Sequence, residues 1–214
     1  MLEKILENYN IPGKLIDVKE NHSGNINDTF IATFLEESGV EKKYLIQKIN
    51  TTVFTEPYKL MKNIEGVTGY LKRQIKNDGD TEHRVLEVVR TKNNGLLCCI
   101  NDNRERDYYR IYDFIDNAVS YDCSTDLDIV FNTGAAFGNF QKLLINFHIS
   151  SLTDTIPYFH HTDMRYRALI NDIKIDSQGR VEEVAPEIVF LLMREDLYPT
   201  ITNLLGKSEI PYRV

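Results

Sequence analysis

Nine residues, HSGNINDTF from His22 to Phe30, join two strand-like runs, KLIDVKEN and IATFLEE, and carry the clearest chemical signal in the chain. A glycine lets a backbone approach a bound group closely, and successive main-chain N–H groups in such a loop form a nest for an anion. The N–H groups from Ser23 to Ile26 are therefore candidates for cradling phosphate oxygens, with Gly24, Asn27 and Thr29 as the leading residues and Asn25 beside them. The plainer reading is a hairpin turn that Asn27 and Asp28 stabilise through local Asx hydrogen bonds.

A third strand-like run, KYLIQKIN, follows after a short charged turn. Where such a loop covers ATP phosphates, the third strand supplies a side chain to the same phosphates, usually a lysine, and the next helix supplies a glutamate that pairs with it. Lys48 is the first choice and Gln47 its rival; side chains alternate along a strand, so only one of them can face the ligand. Otherwise Lys48 is an ordinary solvated lysine. Glu65 is the expected helix partner. Glu56, at the helix start, competes, although there it can simply complement the helix dipole.

Two other groupings look chemical. His161-Thr162-Asp163 has the His-x-Asp form of a kinase catalytic loop, but the position five residues after the aspartate, where a metal-binding asparagine is needed, is Ala168. His22, His83 and His148 show no metal-ligand spacing. Cys98 and Cys99 are adjacent and Cys123 stands alone, which is neither a disulfide framework nor a zinc signature. Reduced thiols point to a cytoplasmic protein.

The net charge of −7, without a basic block, argues against nucleic acid or an anionic membrane as the main partner. No apolar run is long enough to span a bilayer. The opening MLEKILENY is acidic and amphipathic, unlike a signal peptide.

The elements that must hold these residues read as follows. A short helix over LEKILENY stops at NIPG. Three strands cover Lys14–Glu20, Ile26–Leu35 and Lys43–Asn50. A helix of about five turns starts near Pro57, buries Leu60, Ile64, Val67, Leu71 and Ile75, and ends at NDGD. RVLEVVRT and GLLCCIN, joined by KNNG, predict a hairpin, and DYYRIYDFI closes a five-stranded antiparallel sheet. From Asp126 onward the pattern is helical: Leu127–Ile149, Met164–Ile173, Val181–Glu195 with a later start forced by Pro186, and Leu197–Leu205. A β-rich half followed by a helical half predicts two lobes, residues 1–116 and 117–214.

HSGNINDTF, YLIQKINTTVF, LMKNI, YYRIYDFID, FGNFQKLL, IPYFHHTDMRY and IPYRV occur in the order seen in the N-acetylhexosamine 1-kinases, which the chain resembles over nearly its whole length. That family belongs to the aminoglycoside phosphotransferase and choline kinase group. The resemblance implies an α+β, protein-kinase-like bilobal fold: a five-stranded N-lobe with one long helix, then the first helices of an incomplete helical C-lobe. It implies ATP and Mg²⁺ as cofactors and phosphoryl transfer to the anomeric hydroxyl of a sugar acceptor. It places Asp113, Phe114 and Ile115 at a hinge whose main-chain groups bind adenine, and Phe159, His160, Thr162 and Arg165 in helix packing. The family's catalytic loop follows its counterpart of IPYRV, so the catalytic base and metal ligands are expected beyond Val214. The 214-residue chain is then expected to be inactive alone and to self-associate through exposed apolar faces. Two alternatives stay open: a kinase of another small acceptor (an aminoglycoside, a choline-like alcohol or an amino acid), or a non-catalytic nucleotide-binding or interaction module.

Overall fold

A computed structural model describes residues 2–22, 24–76, 85–102, 105–121 and 123–213. Ser23, His83, Val214 and the expected NDGD turn at residues 77–80 lie outside them. The chain divides into two compact units, Met1–Thr155 and Ile156–Arg213.

In the first unit, β1 (Lys14–Asn21), β2 (Asp28–Leu35) and β3 (Glu41–Lys48) form an antiparallel meander, and β6 (Glu105–Asp113) lies beside β3. β4 (Val88–Val89) and β5 (Cys98–Asp102) both pair with the edge of β6 that faces away from β3. The sheet therefore holds six antiparallel strands rather than five. The expected hairpin between RVLEVVRT and GLLCCIN is replaced as well. The KNNG turn does form, closed by the Thr91 N–H on the Gly95 carbonyl at 2.9 Å. The nine-residue β6 has an edge long enough for both short strands, so each bonds β6 instead of the other.

Strand alternation gives the sheet two faces, and a different helix covers each. Tyr44, Ile46, Ala32, Phe34, Tyr109 and Ile111 point to one face and pack with Ile5 and Leu6 of α1 (Leu2–Leu6) and with Tyr9. The Tyr9 hydroxyl donates to the Tyr109 carbonyl at 2.9 Å, which satisfies a phenol that burial drives far above the usual tyrosine pKa. Ile49, with Tyr108 beside it, points to the other face and meets Leu60 and Met61 of α2 (Pro57–Gln74). Pro57 opens α2 in its first turn, where a missing N–H costs nothing, and the helix has the expected five-turn length.

α3 (Leu127–Leu143) starts at Asp126, whose carboxylate accepts the Asp128 N–H at 2.9 Å. It ends at Leu143, six residues earlier than expected; a turn and a 3-10 segment, Ile149–Ser151, follow. Leu144 and Phe147 of that turn pack on Leu71 and Tyr70 of α2. Asn63 secures the contact with two hydrogen bonds to the Thr153 main chain, at 2.7 and 3.0 Å. The change from sheet to helix, between Asp113 and Leu127, thus falls inside the first unit.

The second unit holds α4 (Thr162–Ile175), α5 (Ala185–Leu192) and α6 (Thr200–Gly206). The expected helix over Val181–Glu195 is shorter, because Pro186 lacks an N–H and belongs in a first turn; the residues before it form a 3-10 turn. Tyr198, in the link to α6, stacks on Tyr166 of α4 with centroids 4.3 Å apart and accepts a 2.6 Å hydrogen bond from the Thr162 hydroxyl.

Candidate functional site

Thr29, Gln47 and Arg110 are direct cross-strand partners on β2, β3 and β6, so they form one row across the sheet on the face that α2 covers. The row is hydrogen-bonded end to end. Arg110 Nε–H donates to Gln47 Oε1 at 3.0 Å, and Gln47 Nε2 donates to Thr29 Oγ1 at 3.2 Å. The Thr29 hydroxyl then donates to the Asn27 carbonyl at 3.2 Å. A guanidinium can only donate, which forces the amide oxygen of Gln47 toward Arg110 and its NH₂ toward Thr29. The row ends on the main chain of the small-residue loop.

Asn27 ties that loop down a second time. Its Oδ1 accepts the Asn50 N–H at 3.0 Å, a tertiary bond to the end of β3 rather than the local Asx turn that a simple hairpin would use. Gly24 and Asn25 are exposed. Gly24 has no left-handed backbone, and a Cβ there would find its nearest neighbours at 3.9 Å, an ordinary contact. The loop thus reaches its shape without needing glycine at this position; what glycine adds is an unobstructed main chain.

The register puts Gln47 and Lys48 on opposite faces of the sheet. Lys48 points to the α1 face, where it forms a 2.8 Å ion pair with Asp107, and this hydrogen bond holds its ammonium above the usual lysine pKa. Gln47 shares the face with α2. The first choice of Lys48 as the strand residue opposite the helix is corrected accordingly: the apolar even-numbered positions of β3, Tyr44 and Ile46, fix the even face on α1. Glu65 does not reach the row either. It pairs with Arg90, while Glu56 pairs with Lys59 at 2.9 Å. The α2 residue at the row is Met61, fully buried, with its sulfur 3.8 Å from Arg110 Nη1.

Arg110 is the residue that sequence reasoning missed. It is 8% exposed, and burial pushes its pKa down from the usual arginine value without neutralising it. Besides Gln47 and Met61 it touches the Tyr112 ring, whose centroid is 5.3 Å from its guanidinium carbon. Among the described residues no carboxylate pairs with it. The available signal was a lone cation inside YYRIYD, two positions from Tyr108 and Tyr112 and so on their face.

Asp113, Phe114 and Ile115 border a recess of about 220 Å³ at the end of β6, next to the start of β3. The Asp113 N–H is given to the Glu87 carbonyl at 3.0 Å and the Phe114 N–H to the Lys43 carbonyl at 3.2 Å. The Ile115 N–H has no backbone acceptor among the described residues. The recess is more charged than an all-apolar purine slot: Lys42 pairs with Asp113 at 3.5 Å and Lys43 with Asp116 at 3.2 Å. Gln47 is four steps along β3 from Lys43, roughly 13 Å at strand rise. That spacing separates the recess from the Thr29–Gln47–Arg110 row along the strand.

In the second unit, His161 caps α4 by accepting the Met164 N–H at Nδ1, 3.3 Å away, and Asp163 pairs with Arg167 at 3.1 Å. Arg165 donates to the Phe159 carbonyl at 3.1 Å and lies over the Phe159 ring. His160 stacks edge-on against Phe159. All of these contacts build helix structure. Among the described residues no three His, Cys, Asp or Glu side chains gather as metal ligands.

No protein-family model matches the chain. Among solved structures it is similar to an amicoumacin kinase determined in complex with AMP-PNP, Ca²⁺ and Ami, at 14% identity and a TM-score of 0.50 over 76% of this chain. The chain spans 45% of the length of that kinase. The likeness shows a kinase-like α+β fold.

Proposed function

We propose that the chain is the nucleotide-binding part of a small-molecule phosphotransferase, taking ATP on the α2 face of its sheet with adenine at Ile115 and the phosphates toward Gly24–Thr29. The supporting observation is the Thr29–Gln47–Arg110 row, which meets the loop at Thr29 and carries one buried cation, Arg110, two strands across from it. Asn25, Asn27 and the Gln47 amide belong to the loop end of this site; Glu65 and Lys48, engaged with Arg90 and Asp107, do not. In this reading residues 1–116 are the nucleotide lobe and 117–214 the start of the helical lobe, and Mg²⁺ accompanies the nucleotide.

The acceptor we propose is an N-acetylhexosamine, on the strength of the seven ordered segments from HSGNINDTF to IPYRV. A second reading, a kinase of another small acceptor, draws on the likeness to a kinase whose bound molecule is Ami. Thermal melting with Mg²⁺-ATP, then with Mg²⁺-ATP plus N-acetylglucosamine, N-acetylgalactosamine, choline or an aminoglycoside, separates the readings. The first expects a nucleotide shift that N-acetylhexosamines alone enlarge. Enlargement by an aminoglycoside or choline alone favours the second, and no shift with any nucleotide ends both.

A further inference from the structure

Gln47 occupies the place on β3 where a lysine would meet the phosphates of a nucleotide, and an amide carries no charge. The opposite face takes Lys48 out of reach and pairs it with Asp107. α2 brings no glutamate to the row and offers a thioether, Met61, instead. A kinase-type site usually places a cation on the strand and a counter-anion on the helix. Here both are displaced, and the buried cation in the row is Arg110, one strand further across the sheet.

Resting on the nucleotide reading above, we infer that Arg110 is the phosphate-binding cation of the site, reaching from β6 and aimed by Gln47. The residue is buried, with 8% of its surface exposed, yet the acceptors around its guanidinium among the described residues are a neutral amide, a sulfur and an aromatic face. Removing a cation from water without a paired anion is costly, and a purely structural position would be filled more cheaply by an apolar side chain. A bound polyphosphate supplies the missing charge. The Gln47 bond occupies Nε and so fixes the plane of the fork, leaving Nη2, and Nη1 beyond its weak contact with the Met61 sulfur, for phosphate oxygens.

The test compares wild type with Arg110→Met and Arg110→Lys, measuring melting temperature and the affinities for Mg²⁺-ATP and adenosine. Methionine matches the apolar surroundings of Met61 and Tyr112 but leaves Gln47 Oε1 without its donor, so the variant is expected to fold with a melting temperature at or modestly below wild type. Its ATP-to-adenosine affinity ratio should fall at least tenfold, with adenosine affinity within twofold of wild type. Lysine keeps the charge but loses the fork, and should recover part of the ratio. A wild-type ratio in folded Arg110→Met overturns the inference. Should that variant not fold, Arg110→Lys carries the test: a reduced ratio supports the inference and an unchanged one overturns it. Failure of wild type to bind either ligand sinks the nucleotide reading, and the inference with it. Binding of ATP with a ratio insensitive to both variants sinks the inference alone.

Discussion

Gln47 uses both ends of its amide, accepting from Arg110 and donating to Thr29, so a change at this residue disturbs two buried partners together. Gln47→Leu keeps the shape but strands the Arg110 Nε–H and removes the donor to Thr29 Oγ1, whose own bond to the Asn27 carbonyl remains. It is expected to cost about 1–3 kcal/mol in urea unfolding and to weaken ATP binding. Lys48 behaves differently. Its side chain is 35% exposed, so the ion pair with Asp107 is discounted for solvent screening, and Lys48→Met should cost about 1 kcal/mol or less and leave ATP affinity unchanged. The hydrogen bond raises the folded pKa of Lys48 above its unfolded value, about 10.4. Its contribution is therefore complete below that value and lost as pH rises through the folded pKa. Wild type and Lys48→Met should differ by a constant amount near neutral pH and converge in strong alkali. The sequence showed that Gln47 and Lys48 must face opposite ways. Which one met α2 was not legible, because it depends on where Tyr44 and Ile46 find their helix.

α2 joins the candidate site to the rest of its unit, with Met61 against the row at one end and Asn63 holding residue 153 a little further on. Met61→Ala opens a cavity at a fully buried position and is expected to cost about 2–5 kcal/mol. Asn63→Ala removes two exposed hydrogen bonds and should cost about 1 kcal/mol. Hydrogen exchange should speed up over residues 149–155 in that variant and stay unchanged in β1–β3. The helix was readable because Pro57 and an apolar stripe are local signals, and the β1–β3 meander because alternation and turns are local too. The fates of β4 and β5 were not. KNNG marks a turn, but whether the flanking runs pair with each other or with β6 depends on a strand that comes later in the chain.

The sheet with its two covering helices and the α4–α6 group form separate compact units, and the site residues other than those around His161 belong to the first. α3 presents Phe131 at 74% and Phe137 at 67% exposure, a surface that favours association. The double change Phe131→Ser, Phe137→Ser is expected to lower concentration-dependent self-association, read by sedimentation, without lowering the melting temperature. The likeness to a kinase at 14% identity shows the fold, while the proposed nucleotide site rests on the row and the recess. Backbone NMR of the protein titrated with AMP-PNP tests that site most directly. The account predicts saturable shifts concentrated at Gly24–Thr29, Gln47, Arg110 and Ile115, with the α1 face quiet. Shifts centred on Leu2, Lys48 and Tyr109, or none at saturating nucleotide, would contradict it.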